Sequence, residues 1–291
     1  MHRTVRSYEL LEPPTLEEAV KLLNRYGNKA KVLAGGLDIV SKMRRWQINP
    51  QYLVSIRDLP GLCHIERTSN GDLEIGAMAR LHDVEIALEV KKEWPVLYEA
   101  VHQIASVQVK TMGTLVGNLC VATPASDIAP VLFILGARLQ VVGPSGEKTI
   151  PIEQFFIPVC QHILKPDEIV TKVLVPHQPR GVTCAFKKLA HTAACIAKIN
   201  TAVSLTMAKN SCKNARIALG SVAPCVIRAT QAETTLTGST LVDAIITRAA
   251  NKAAEEATPI SDLRSTAEYR KHMVAVLVKR AIKQAMTNTM A

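Results

Sequence analysis

Two glycine-bearing stretches about eighty residues apart constrain this chain more than any other feature. The first runs Lys31-Val32-Leu33-Ala34-Gly35-Gly36-Leu37-Asp38. The second runs Gln108-Val109-Lys110-Thr111-Met112-Gly113-Thr114-Leu115-Val116-Gly117-Asn118, with Thr123-Pro124-Ala125-Ser126-Asp127 close behind. Each closes an apolar run with residues that lack a Cβ or carry a small hydroxyl, so backbone N–H groups can converge on an anion unobstructed. Gly35-Gly36 alone would serve an ordinary strand-to-helix turn equally well. Two such segments in one domain suit a ligand with a diphosphate at its centre and a large ring at one end, a description that flavin adenine dinucleotide fits.

The length of 291 residues points to two domains rather than one core. With 48% of its residues apolar, the chain has ample material for burial. The apolar run Ile128 to Ala137 is too short for a membrane span and holds Pro130. The opening Met1-His2-Arg3-Thr4-Val5-Arg6 has no apolar core of a secretory signal. Seven cysteines without a C-x-x-C pair read as reduced cytoplasmic thiols and exclude the usual zinc and iron–sulfur spacings, so no metal is expected on this chain. The net charge of +10 lies wholly beyond residue 176, where 16 Lys/Arg face 6 Asp/Glu. That shift coincides with Val175-Pro176-His177-Gln178-Pro179-Arg180-Gly181, which marks a domain boundary. A solvated basic surface is the plainest reading, a docking face for an acidic partner the next. Nucleic acid is disfavoured because the aromatics are too few for a stacking platform.

Thr15-Leu16-Glu17-Glu18 is a capping box for a helix ending at Gly27. A strand at 30–33 runs into Gly35-Gly36, and Asp38 is expected to cap the helix after it. A hairpin is expected around Ser69-Asn70-Gly71-Asp72, then helices at about 82–90 and 94–105, and an apolar helix at 128–136 for which Asp127 can serve as cap. Strands follow at 137–142 and 169–175. The last third reads as an antiparallel sheet from 182–190, 195–208 and 214–222, with helices near 228–236, 240–256 and 267–286. The class is α+β.

Taken together, Lys31–Asp38, Gln108–Pro130, Asp167-Glu168-Ile169, Ala185-Phe186-Lys187-Lys188 and Ala267-Glu268-Tyr269-Arg270 resemble the FAD-binding subunit of the molybdenum hydroxylases. That family includes the xanthine, carbon monoxide and nicotinate dehydrogenases. Ser126-Asp127 and Phe186-Lys187 are most similar to the xanthine dehydrogenase branch. The resemblance implies a two-lobed, vanillyl-alcohol-oxidase-like (PCMH-type) FAD domain over 1–176 and an antiparallel-sheet-plus-helices domain over 181–288. It implies that Lys31, Val32, Leu33, Ala34, Gly35, Gly36, Leu37 and Asp38 hold the pyrophosphate of non-covalent FAD. Gly113, Thr114, Leu115, Val116, Gly117 and Asn118 would clamp its other side. Asp127 would accept hydrogen bonds from the adenosine-ribitol portion, Ile169 would contact the adenine region, and Phe186 and Lys187 would lie near the cofactor. The implied partners are an iron–sulfur subunit with [2Fe–2S] clusters and a large molybdopterin subunit, with NAD⁺ among the implied acceptors and purines or other N-heterocycles as substrates.

Two departures stand out. Leu37 replaces the small hydroxyl residue usual in the family, and Val116 replaces a second glycine. A positive φ at Val116 would cost about 1–3 kcal/mol and weaken FAD. These two positions are the support for an alternative, a degenerate member serving as a scaffold without tight FAD. Lys188, on the strand face opposite Lys187, is expected to be solvated. Arg270, Lys271, Lys279, Arg280 and Lys283 are expected to turn charge outward from the last helix, which would make it a docking face.

Overall fold

The computed structural model of the chain describes residues 4–208 and 210–288. Met1-His2-Arg3, part of the opening segment read above, lies outside them. Three layers of sheet succeed one another. The first is β1 (Glu9–Leu11), β2 (Ala30–Leu33) and β3 (Tyr52–Ser55), parallel in the order β1-β3-β2. Helices α1 (Leu16–Tyr26) and α2 (Leu37–Arg44) make its crossovers. α1 begins where the capping box places it, with Thr15 Oγ accepting from Glu18 N at 3.2 Å.

The second layer is antiparallel, in the order β4-β5-β10-β6-β7. Its strands are β4 (Ile65–Arg67), β5 (Leu73–Gly76), β6 (Arg138–Gly143), β7 (Gly146–Pro151) and β10 (Ile169–Val175). Between β5 and β6 lie α3 (Leu81–Ile86), α4 (Leu88–Glu93), α5 (Pro95–His102), α6 (Val107–Met112), α7 (Leu115–Cys120) and α8 (Ile128–Leu135). The two helices expected over 82–105 are three, because the chain bends at Ala87 and again at Trp94-Pro95, where a proline at the first helical position starts α5. α9 (Ile152–Phe155) and the two-stranded hairpin β8 (Phe156–Ile157) and β9 (Gln161–His162) precede β10.

The third layer is an antiparallel sheet, β11 (Val182–Leu189), β12 (Ile199–Ala208), β13 (Ser211–Gly220) and β14 (Ile227–Arg228), in that order. The strand expected from 195 begins only at Ile199. Adjacent residues on a strand face opposite ways, and the sheet uses both faces. Phe186, Ala202 and Ala218 join the core shared with the first two layers, while Ala185, Val203 and Ile217 join a second core. α10 (Thr230–Leu236), α11 (Asp243–Glu256) and α12 (Ala267–Asn288) close that second core. Burial on both faces explains why β12 is buried at every residue from Ile199 to Leu205 although Asn200, Thr201 and Ser204 are polar. α8 is likewise buried at all eight of its residues, packed between α5 and strands β12 and β13. No helix among the described residues is long and apolar enough to cross a membrane.

The outward charge expected of α12 is largely answered from within. Lys279 bonds Asp243 and Thr247 of α11, each at 2.8 Å, and Lys283 pairs with the same Asp243. Arg270 is buried rather than outward. It donates to Ser221 O at 2.8 Å and to Asp262 Oδ1 at 2.7 Å, and fastens the last helix to the end of β13. Burial pushes the Asp262 carboxyl up, but the Arg264 N–H and the Arg270 guanidinium outweigh it and hold the group below the ordinary aspartate range. Its contribution to stability is therefore complete above that range and is lost as pH falls through the depressed value. Asp262→Ala should cost roughly 2–3 kcal/mol, because the buried guanidinium loses its charged acceptor. Urea melts at neutral pH should show that loss, and the gap between wild type and variant should close in strong acid.

Candidate functional site

The two glycine stretches meet. A Cβ on Gly35 would stand 2.2 Å from Met112 O and 3.1 Å from Gly113 Cα, so the two backbones touch where only glycine permits it. From the other side, Leu37 Cδ1 lies where a Cβ on Gly113 would come within 3.2 Å. Gly36 takes φ 81° and caps α2 without a side chain. Asp38, expected as the cap, is instead inside the first turn and pairs with Lys42 at 2.8 Å. Among the described residues, the N–H groups from Gly35 to Ile39 meet no acceptor in the chain. They form a cradle of donors at a helix N-terminus, suited to a phosphate. Arg57 stands at the rim, donating Nε to Ala34 O at 3.0 Å. Its guanidinium keeps further donors for an anion, a role that the sequence alone did not flag. Lys31 is exposed at the start of this turn, and Val32, Leu33 and Ala34 are half-buried.

The second stretch is not a free loop. Leu81 N donates to Gly113 O at 2.9 Å and Leu115 N to Ala79 O at 3.1 Å, which zips residues 113–115 onto 79–81. Thr114 then caps α7, its Oγ1 accepting from Gly117 N at 2.9 Å. Val116 sits inside that helix, without positive φ, and its side chain is buried in the main core. The strain expected at Val116 is absent because a helical φ suits any L-residue.

Asn118, at the end of α7, accepts from Ser126 Oγ at 2.7 Å. Ser126 in turn accepts from Ala129 N at 3.2 Å and so caps α8, the task expected of Asp127. Asp127 is turned toward the C-terminal sheet. Its Oδ2 accepts from Lys188 Nζ at 2.6 Å and its Oδ1 from Asn200 Nδ2 at 2.8 Å. The side chains of Lys188 and Asp127 are only 4% and 7% exposed. The expectation of a solvated Lys188 is therefore overturned: the end of β11 lies against α5, where Lys188 also donates to Gln103 O at 2.9 Å. Burial pushes the Asp127 carboxyl up, against the pull of Lys188 and Asn200.

Asn200 also donates to Ser126 O at 3.0 Å, and Ser221 N to Pro124 O at 2.7 Å, so the third sheet holds residues 124–127 from below. Neither Lys188 nor Asn200 belongs to a glycine motif. Lys188 entered the family resemblance only as the neighbour of Lys187, and Asn200 gave no signal beyond being an asparagine in a strand. Lys187 is half-buried beside Glu99 of α5, whose carboxyl is raised by burial against the pull of Lys187 and the Phe186 backbone. Phe186 and Ile169 are core side chains, 0% and 2% exposed, so what they offer a ligand is mainly backbone.

Residues 6–178 match the model of the FAD binding domain in molybdopterin dehydrogenase, and residues 184–285 that of the CO dehydrogenase flavoprotein C-terminal domain. The chain is 31% identical to the carbon monoxide dehydrogenase medium chain of Afipia carboxidovorans over 279 residues, 96% of each chain. A solved structure of carbon monoxide dehydrogenase from Hydrogenophaga pseudoflava superposes with a TM-score of 0.95 at 31% identity, covering 98% of this chain and 99% of that one. The xanthine dehydrogenase FAD-binding subunit of Escherichia coli O157:H7 is 27% identical, covering 94% of each.

Two outcomes follow from this geometry. Asp127→Ala should destabilise the protein by about 3–5 kcal/mol, because it strands a buried ammonium, whereas the double variant Asp127→Asn with Lys188→Met should recover most of that loss. Thermal melts of Asp127→Asn, Lys188→Met and the double measure the coupling. Val116→Gly should lower stability by roughly 2–4 kcal/mol through lost helix propensity and a core cavity, and should leave FAD affinity no tighter. Fluorescence titration of the apo-protein with FAD checks the second half.

Proposed function

The chain belongs to the FAD-binding subunits of the molybdenum hydroxylases, and from that premise we propose that it carries non-covalent FAD as the flavin relay of a heteromeric dehydrogenase. In this reading one partner is an iron–sulfur subunit with [2Fe–2S] clusters. The other is a large molybdopterin subunit, where a purine or other N-heterocycle is oxidised in the cytoplasm. When bound, FAD supplies the conversion between single electrons from clusters and a pair delivered to NAD⁺ or another soluble acceptor.

This chain's residues bind and orient. The observation that carries the reading is the cradle of unpaired N–H groups from Gly35 to Ile39, pressed against the Met112-Gly113 backbone. Those donors would take the pyrophosphate, with Arg57 adding charge from the rim and Gly113 to Asn118 forming the opposite wall. Each Asp127 oxygen already serves one donor of the chain and keeps a lone pair for the adenosine-ribitol portion. Lys187, half-buried beside Glu99, would stand near the cofactor. Neither glycine stretch holds a histidine or cysteine, which is why the flavin is assigned as non-covalent. The domains are drawn at 1–176 and 181–288. The scaffold alternative loses half its support, since Val116 lies in an unstrained helix.

Purified protein should show flavin bands near one FAD per chain, and acid precipitation should release that FAD into the supernatant. Gly35→Ala forces the two backbones apart, so it should cut FAD occupancy at least tenfold while circular dichroism shows the fold retained. Stoichiometric FAD in Gly35→Ala would remove the cradle from the site. A colourless wild-type complex would return the scaffold reading.

A further inference from the structure

Helix α6 is held to its neighbours by a charge. It is six residues long and buries one of them, Lys110, where a short helix would ordinarily bury an apolar side chain. The lysine side chain, 6% exposed, reaches Glu85 of α3, with Nζ 2.8 Å from Oε1 and 2.7 Å from Oε2. The same Nζ donates to His102 O at the end of α5, at 3.3 Å. Glu85 also meets His102 Nδ1, at 2.7 Å. His82, on the first turn of α3, stands further off, with Nδ1 4.0 Å from Glu85 Oε2. Burial pushes the Glu85 carboxyl up, but Lys110 and His102 outweigh it and hold the group below the ordinary glutamate range. The carboxylate therefore stays charged at neutral pH, and α3, α5 and α6 converge on it.

Two residues beyond Lys110, α6 ends at Met112, whose carbonyl oxygen occupies the space of a Cβ on Gly35. Just past that carbonyl, Gly113 O accepts from Leu81 N at 2.9 Å. The chain is thus fastened to α3 on both sides of the contact, before it by Lys110 on Glu85 and after it by Gly113 on Leu81.

We propose, on the premise that the cradle takes the pyrophosphate of FAD, that Lys110 is a positioning residue: through Glu85 it holds the Met112 carbonyl against Gly35 and so fixes the wall of the cradle. Charge-assisted bonds to three oxygens on two helices set the place of the ammonium directionally. A binding site works when its donors are held to within about 0.5 Å, so slack in α6 reaches the cofactor as lost affinity before it reaches the fold.

The test is made on the full-length chain. Lys110→Met combined with Glu85→Gln removes both charges together, so neither is left buried without its partner. This double variant should melt close to the wild type, yet bind FAD about tenfold more weakly in fluorescence titration of the FAD-depleted protein. Gly35→Ala already forces the two backbones apart and should absorb the effect. Adding the pair of substitutions to it should weaken FAD by less than about twofold more. Wild-type affinity in the double variant would overturn the proposal. So would FAD loss only in step with a falling melting temperature, since the pair then serves the fold alone. A full further loss on top of Gly35→Ala would overturn it as well, because the effect would not pass through the Met112 carbonyl. Wild-type protein unable to bind FAD would overturn the premise and the proposal together.

Discussion

The buried contact of Asp127 with Lys188 and Asn200 holds the site's two halves in one frame. A carboxyl and an ammonium removed from water are costly unless they meet each other and further hydrogen-bond partners. Here Asp127 meets both Lys188 and Asn200, and Lys188 also finds the Gln103 carbonyl. The cluster therefore tolerates only one docking of the third sheet on residues 123–127. Through Ser126 and Asn118 the constraint passes to α7, and through Thr114 to the junction with the first glycine turn. The cluster adds directional bonds to an interface that is otherwise apolar, where Phe186, Ala202 and Ala218 join the main core.

At that junction glycine serves two purposes at once. Gly35 is required because the Met112 carbonyl occupies the space of its Cβ, and Gly36 because the chain turns through the left-handed region to start α2. The same two features leave the first N–H groups of α2 without partners and without a covering side chain. The row of free N–H groups is thus a by-product of how strand and helix must be joined against a second backbone. The chain tolerates Val116 for the same reason. The second stretch contributes its wall as a capped helix, where a β-branched residue can point into the core.

The basic excess of the last third has a structural reading as well. Arg270, Lys279 and Lys283 answer Asp262 and Asp243, tying α12 to neighbouring segments. Lys279 and Lys283 together hold the exposed Asp243 carboxyl down at about 2. Part of the charge that looks free in a linear count is thus taken up once helices pack side by side.

What the sequence determined by itself was whatever depends on neighbours a few residues away. Periodicity and capping located most helices and strands, the composition break near 176 located the change of layer, and ordered motifs located the family. The glycine turn was legible because its conformation is local. Tertiary structure alone decided which lysine of Lys187-Lys188 is buried, since strand alternation separates the two faces without saying which one meets α5. It likewise decided that Ser126 rather than Asp127 caps α8, that Asp38 pairs with Lys42 rather than capping α2, and that Arg270 points inward. Each outcome turns on a partner from a distant segment. A polar side chain goes where its hydrogen bonds are best satisfied, and the chain reveals that only when its layers close on one another.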